Sequence, residues 1–282
     1  MSTRPLFTIL VPVHRPPNLL RFAVASIQAQ SVSAFEVFII CDGAPRATVS
    51  YANELAAADS RICVFDFEKG ERFGEAHRDA VLAGARGRYV AQIADDDLWF
   101  PDYLRELSRL LSTVQFGNLI QVHVAPDDKL LVYPGDLADE KVRSRMLKTS
   151  WNFFGPSFAG YHLETYRSLS TGWSPAPEDI FTDLFMWRKF LQIKDLQVGT
   201  RFAVQGAKIS AHQRTELSIE QREIEHRRIV SALLGPQARH DFQARAYAAL
   251  YAAQSLEYRR RIAGLRAQAE KKRTGRRATL SP

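Results

Sequence analysis

Three consecutive carboxylates, Asp95, Asp96 and Asp97, follow the apolar stretch Tyr89-Val-Ala-Gln-Ile and precede Leu98-Trp-Phe-Pro, so they leave a strand end together. Like charges at that spacing repel. A hard divalent cation, Mg²⁺ or Mn²⁺, held by one or two of them together with substrate phosphates relieves the repulsion. Acidic decoration of a helix N-terminus accounts equally for such a triplet. Two further polar clusters, His14-Arg15 and Asp42-Gly43, also close apolar runs, and a plain Asp-Gly turn or a solvated loop histidine is the competing explanation for each.

These residues need elements that bring them together. Thr8-Ile-Leu-Val-Pro-Val reads as a strand, His14 to Asn18 as a loop, and Leu19 to Ile27 carries apolar residues at helical spacing. Phe35 to Cys41 and Ile62 to Phe67 read as further strands, with a helix over Val49–Ala58 between them. A helical stretch over Glu75–Ala85 and the strand Arg88 to Ile93 continue the rhythm. This alternation predicts a mostly parallel sheet with helices on both faces, an α/β architecture whose ligands bind beyond the carboxyl ends of the strands. His14-Arg15, Asp42-Gly43 and the acidic triplet all fall at those ends, so three separate segments should converge on one site. Helices are expected over Asp102–Val114 and Leu184–Leu191, with a hairpin around Ala125-Pro-Asp-Asp between them. Two more are expected after about Glu216, broken at Gly235-Pro236.

Thr8-Ile-Leu-Val-Pro-Val-His-Arg, Ser26-Ile-Gln-Ala-Gln-Ser, Phe35 to Gly43, Arg78 with Gly87-Arg-Tyr-Val, and Ala94-Asp-Asp-Asp-Leu-Trp-Phe-Pro-Asp-Tyr-Leu resemble, in order and spacing, the family 2 glycosyltransferases of GT-A fold. The resemblance is specific over residues 6 to 107 and looser over Gly160 to Phe190. It implies inverting transfer of a sugar from a nucleotide diphosphate donor, with a UDP-sugar as first choice, assisted by Mn²⁺ or Mg²⁺. Carried over to this chain, it places Pro12 and His14 along the nucleotide pocket, Asp42 on the base, Arg78 near base and diphosphate, and Asp95 on the ribose side. Asp96 becomes the direct metal ligand, and His212 the late histidine that reaches back to metal or diphosphate. An inverting transfer also needs a base for the acceptor hydroxyl. Of Glu178, Asp179 and Asp183, the resemblance selects Asp183, at the start of an aromatic helix. Cys41 and Ala94 stand where many members have aspartate, His14 where an aromatic is common, and Asp79 where Asn often follows the arginine.

The aromatic run Trp151, Phe153, Phe154, Phe158, Tyr161 and Trp173 reads mainly as core, with one ring left for an acceptor sugar. The acceptor itself is expected to be a saccharide or a lipid-linked one, as in cell-surface polysaccharide assembly. With 282 residues, 46% of them apolar and 24% charged, the chain is long enough for an enzyme and is neither disordered nor collagen-like. Cys41 and Cys63 are too few for a disulfide framework and read as reduced, buried thiols. With no leader or spanning run, the expected location is cytoplasmic, either free or peripheral at the inner face of the membrane.

The charge is uneven: residues 216–282 hold fourteen Lys/Arg against seven Asp/Glu, which is the whole +7 excess of the chain. The expected division is a glycosyltransferase domain over 1–215, a helical appendage over 216–270 and a disordered basic tail over 271–282. Tyr251, Tyr258 and Leu265 recur in sevens, a stripe suited to homo-oligomer contact or, with the arginines, to an anionic membrane. Nucleic acid is a disfavoured partner because the main body is neutral. Two rival readings remain at this point: a nucleotide-sugar-binding module without turnover, and a nucleic-acid-binding protein acting through the tail. A dehydrogenase is disfavoured by the lack of Gly-x-Gly-x-x-Gly after the first strand.

Overall fold

A computed structural model describes residues 4–278, with side-chain surroundings through residue 267. The chain begins β1 (Phe7–Val13), α1 (Leu20–Gln28), β2 (Phe35–Asp42), α2 (Arg46–Ala58), β3 (Ile62–Phe67), α3 (Glu75–Leu82) and β4 (Tyr89–Gln92). It continues through β5 (Leu98–Trp99), α4 (Tyr103–Leu111), β6 (Phe116–Ile120), β7 (Val122–Val124), β8 (Leu130–Val132), α5 (Glu140–Lys148) and β9 (Ala159–His162). The last part is α6 (Leu163–Arg167), α7 (Thr182–Leu191), β10 (Val198–Val204), β11 (Gly206–Ala207), α8 (Ile219–Ala232) and α9 (Pro236–Ala278).

Seven strands form one sheet in the order β10-β6-β9-β4-β1-β2-β3, parallel except for β9, which runs against both β4 and β6. The middle strands read as unbroken apolar runs because both sheet faces are covered. Ile9, Val11 and Val13 of β1 pack into one core layer with α1 and α4, whereas Leu10 points to the opposite layer around Trp187 and Phe190 of α7. All eight residues of β2 are buried. The fold is thus the expected α/β sheet with helices on both faces. Cys63 departs from expectation: it is exposed while Cys41 is buried, because β3 is the last strand of the sheet and one flank of it meets solvent.

In the aromatic run Phe153, Phe154, Phe158, Tyr161 and Trp173 are buried, as expected of core, and Trp151 is half-buried. The 216–270 segment forms the two helices expected, and their first portions lie against the main body. Ile229 of α8 and Phe242, Ala246 and Leu250 of α9 join Leu98, Phe100, Val122 and Val204 in a third core cluster. α8 opens on a capping box in which Ser218 and Gln221 bond each other's main chain. Residues 271–278 continue α9 rather than standing as a disordered end, in keeping with their Lys- and Arg-rich, helix-forming composition. Residues 279–282 of the expected tail lie outside the described residues. No described helix is long and apolar enough to cross a membrane.

Candidate active site

The carboxyl ends of β1, β2 and β4 deliver Arg15, Asp42 and the acidic triplet to one edge of the sheet, as parallel neighbours must. Each aspartate of the triplet is buried, yet the three are held differently. Asp97 is saturated: Oδ1 accepts from Ile209 N at 2.9 Å, and Oδ2 from Ser157 Oγ at 2.5 Å and Lys208 Nζ at 3.2 Å. The same Ser157 accepts Trp99 Nε1–H through its carbonyl at 2.7 Å, and Trp99 stacks on Tyr103 with ring centroids 4.0 Å apart. Asp97 therefore anchors the loop and has no oxygen to spare.

Asp96 faces cations. Its Oδ2 accepts from Arg222 Nη2 at 2.7 Å and from Arg15 Nη1 at 3.1 Å. Burial alone would raise its pKa, but Arg15, Lys208 and Arg222 outweigh burial and hold it below the usual carboxylate range. Asp95 Oδ2 sits 3.1 Å from Arg15 Nε but has no aligned hydrogen bond. Burial pushes the Asp95 carboxyl up, against the pull of Arg15. An orphaned, buried carboxylate oxygen beside a second carboxylate is a hard-oxygen donor pair, which fits a divalent cation completed by substrate phosphate oxygens. Among the described residues no group of three His, Cys, Asp or Glu side chains forms a cage from protein alone.

Asp42 forms a second pole. Its carboxylate accepts from Lys69 Nζ at 2.5 Å and Gly70 N at 2.7 Å, and despite burial these donors hold it below its ordinary value. Gly74 sits against it with φ +67°, where a Cβ would fall 2.6 Å from the Asp42 carboxyl carbon. Pro12 is half-buried in β1 opposite Ile40. His14 is exposed between the poles, with Arg15, Lys69, Asp42 and Asp96 all near enough to act on its charge. Arg78 is buried, donates Nη2–H to Phe73 O at 2.8 Å and lies 5.0 Å above the Trp173 ring, and its Nε and Nη1 have no partner.

Of the three carboxylates considered as base, Glu178 and Asp179 are exposed, whereas Asp183 is half-buried at the start of α7. Burial raises the Asp183 pKa, opposed by Leu184 N–H and by Lys208. A Cβ placed on Gly155 would lie 3.5 Å from Asp183 Oδ2 and 4.0 Å from Lys208 Nζ, so this glycine leaves a gap where the two charges approach. Lys208, bonded to Asp97, also carries its charge near enough to Asp183 to act on it. Next to it, His123 Nε2 is 2.7 Å from Gln121 Nε2, and burial and then Lys208 press the imidazole down to about 4.

His212 lies on a short 3₁₀ turn and is exposed. The histidine that reaches the acidic loop is His226, whose Nε2 is 2.9 Å from Asp96 O. Sequence reasoning also missed Glu75, fully buried and accepting from Thr182 Oγ1 at 2.7 Å, as well as Lys208 and Arg222. Arg222 and His226 are spaced i, i+4 on one helix face, a pattern that solvated charged helices show just as often.

The family model described as Glycosyl transferase family 2 matches residues 8–169, more than half of the chain. The chain belongs to glycosyl transferase family 2. Among curated relatives of this family 2 protein, the succinoglycan biosynthesis protein ExoW of Rhizobium meliloti is 31% identical over 99 residues, 34% of this chain and 31% of that protein. The uncharacterized protein y4gI of Sinorhizobium fredii is 34% identical over 154 residues, 54% of this chain and 16% of that one. The chain thus spans about a third or less of the length of the curated relatives it matches. Among solved structures, the mannosyltransferase PcManGT from Pyrobaculum calidifontis, in complex with GDP-Man and Mn²⁺, has TM-score 0.55 at 19% identity, covering 95% of this chain and 81% of that one. S. aureus TarS 1-349 in complex with UDP-GlcNAc has TM-score 0.53 at 16% identity, covering 72% and 58%. At such identities the likeness carries the fold alone, and it is the GT-A arrangement.

Proposed function

We propose that the protein is an inverting glycosyltransferase that moves a sugar from a nucleotide diphosphate donor, a UDP-sugar in the first instance, to a hydroxyl of a saccharide or lipid-linked acceptor. The observation that carries this reading is the placement of Asp42, the Asp95–Asp96 pair and the Asp183–Lys208 pair around one sheet edge. The solved relatives that hold GDP-Man with Mn²⁺ and UDP-GlcNAc support it.

In this reading Asp42, Pro12 and His14 line the nucleotide and Asp95 faces the ribose. Asp96, with Asp95 beside it, would hold Mn²⁺ or Mg²⁺, which when bound supplies positive charge to offset the departing diphosphate. Arg78 supplies a buried cation whose charge acts on Asp42 and Asp183. Asp183 takes the acceptor O–H proton as that oxygen forms its bond to the anomeric carbon and the bond to the diphosphate oxygen breaks on the opposite face. Lys208 keeps Asp183 ionised enough to accept the proton. His212, exposed on its turn, would contribute only to a bound donor, and His226 is the histidine tied to the acidic loop. In this reading the catalytic unit extends past the boundary expected at 215 to take in Arg222 and His226. The appendage is the outer part of α9, whose exposed tyrosine and arginine surface meets a second copy or an anionic membrane on the cytoplasmic side.

Thermal unfolding with UDP, GDP, CDP and dTDP, each with and without Mn²⁺, tests the donor site. Ligand at a hundred times its dissociation constant adds about 2.7 kcal/mol of apparent stability. Metal-dependent stabilisation by one of them is expected, and no response to any at millimolar concentration would refute the reading.

A further inference from the structure

Helix α8 reaches the acidic loop almost entirely through polar groups. Arg222 and His226 are buried, Ile229 is the apolar residue buried beside them, and Glu223 is tied to Asn18 at 2.7 Å beyond the end of β1. Arg222 Nη2 and Arg15 Nη1 share one oxygen, Asp96 Oδ2, and His226 Nε2 holds the same residue's carbonyl. One of the two Asp96 carboxylate oxygens is therefore taken by guanidinium groups. Arg222 Nε is buried without a hydrogen-bond partner, and Arg15 Nε, also without an aligned bond, lies 3.1 Å from Asp95 Oδ2, so neither guanidinium uses its full set of donors.

Charge shows what can displace them. Asp95 and Asp96 balance Arg15 and Arg222, so a divalent cation entering alone leaves the buried site with two uncompensated positive charges. A diphosphate entering alone meets guanidinium groups already committed to carboxylates. Entering together, the two ligands restore balance, and a phosphate group suits the planar fork of arginine at least as well as one carboxylate oxygen does.

We propose that Arg222, with Arg15, is a ligand of the donor diphosphate that caps Asp96 until the nucleotide arrives and then turns onto the phosphates, releasing Asp96 Oδ2 to the metal. The inference rests on the donor-site reading above. Its consequence is that metal and nucleotide bind as a pair.

Binding of Mn²⁺ to the full chain, read by electron paramagnetic resonance without sugar or acceptor, tests it in the presence and absence of UDP and of GDP. In the native protein the preferred nucleotide should tighten Mn²⁺ binding within the range of about 5- to 150-fold typical of coupled sites. In Arg222→Met, Mn²⁺ alone should bind at least about tenfold tighter and the nucleotide effect should shrink accordingly. Arg222→Lys keeps the charge and the docking of α8 but not the fork, and should fall between. Equal coupling in all three proteins would overturn the inference while leaving the donor site standing. Absence of any nucleotide effect on Mn²⁺ in all three would overturn the donor site and the inference together.

Discussion

Asp183, proposed above as the base, feels opposing effects from burial and from Lys208. Burial raises the carboxyl of Asp183 and Lys208 draws it back, so a rate limited by proton removal should rise with pH along a limb above the ordinary carboxylate range. Removing the cation in Lys208→Met should move that limb to higher pH, because the effect that lowers the Asp183 pKa is lost. A pH–kcat profile that does not move would separate Lys208 from the base. Asp183→Asn should leave nucleotide binding intact and reduce transfer by about 10²- to 10⁴-fold, measured by product formation at saturating donor. Legibility at this scale was partial. The acidic triplet and Asp42 stand out by closing apolar runs, although a helix cap or an Asp-Gly turn competes as the explanation in sequence alone, and Asp183 was put forward only through resemblance. Lys208 and Glu75 were not reachable, since a single lysine on a strand end and a glutamate in a first helical turn look like solvated charges until a partner from another segment is placed beside them.

At the scale of elements, the strands and helices that carry the site were legible because both sheet faces are covered, which turns β1 and β2 into continuous apolar runs. Helix α4 was equally readable, with Leu104, Leu107, Leu110 and Leu111 on one buried face. The antiparallel insertion of β9 between β4 and β6 was not, because pairing direction is decided by long connections rather than by local pattern. The loop from Lys69 to Gly74 illustrates how tightly such connections can be specified. Gly74 combines a left-handed backbone with contact against the Asp42 carboxyl, so Gly74→Ala meets both a conformational penalty of about 1 kcal/mol and a clash. The expected outcome is a lower melting temperature together with weakened nucleotide affinity in calorimetry, since the displaced group is the carboxylate assigned to the base.

For the whole molecule, the basic C-terminal segment is two things in sequence. Up to Leu250 one face of it is core, with Phe242, Ala246 and Leu250 joining the cluster that α9 forms against β8 and β10, and beyond that point the side chains are largely exposed. Among the described residues, the ion pair linking the outer part to the body, Arg145 with Glu257 at 4.0 Å, joins two exposed side chains and contributes little. Ending the chain after Gln254 should therefore leave the melting temperature within about 2 °C of the full chain, while ending it after Gly235 should forfeit about 1.5–3 kcal/mol for each large apolar side chain lost. Sedimentation and anionic-vesicle binding of the shorter of these two deletions would show whether the exposed Tyr251–Tyr258–Leu265 surface holds a partner. Charge along the sequence marked this segment as basic and could not reveal the change of role within it, because Phe242 and Tyr251 belong to the same helical rhythm.

Trp99 turns the acidic loop into an optical reporter. Its indole donates to the carbonyl of Ser157, the residue whose hydroxyl holds Asp97, and its ring lies on Tyr103 in a site from which water is excluded. Any rearrangement that loosens Ser157 changes the polarity around an emitting ring without a label being attached. Fluorescence should consequently shift when Mn²⁺ and a nucleotide diphosphate are added together and stay constant when either is added alone, and Trp99→Phe should abolish that joint response.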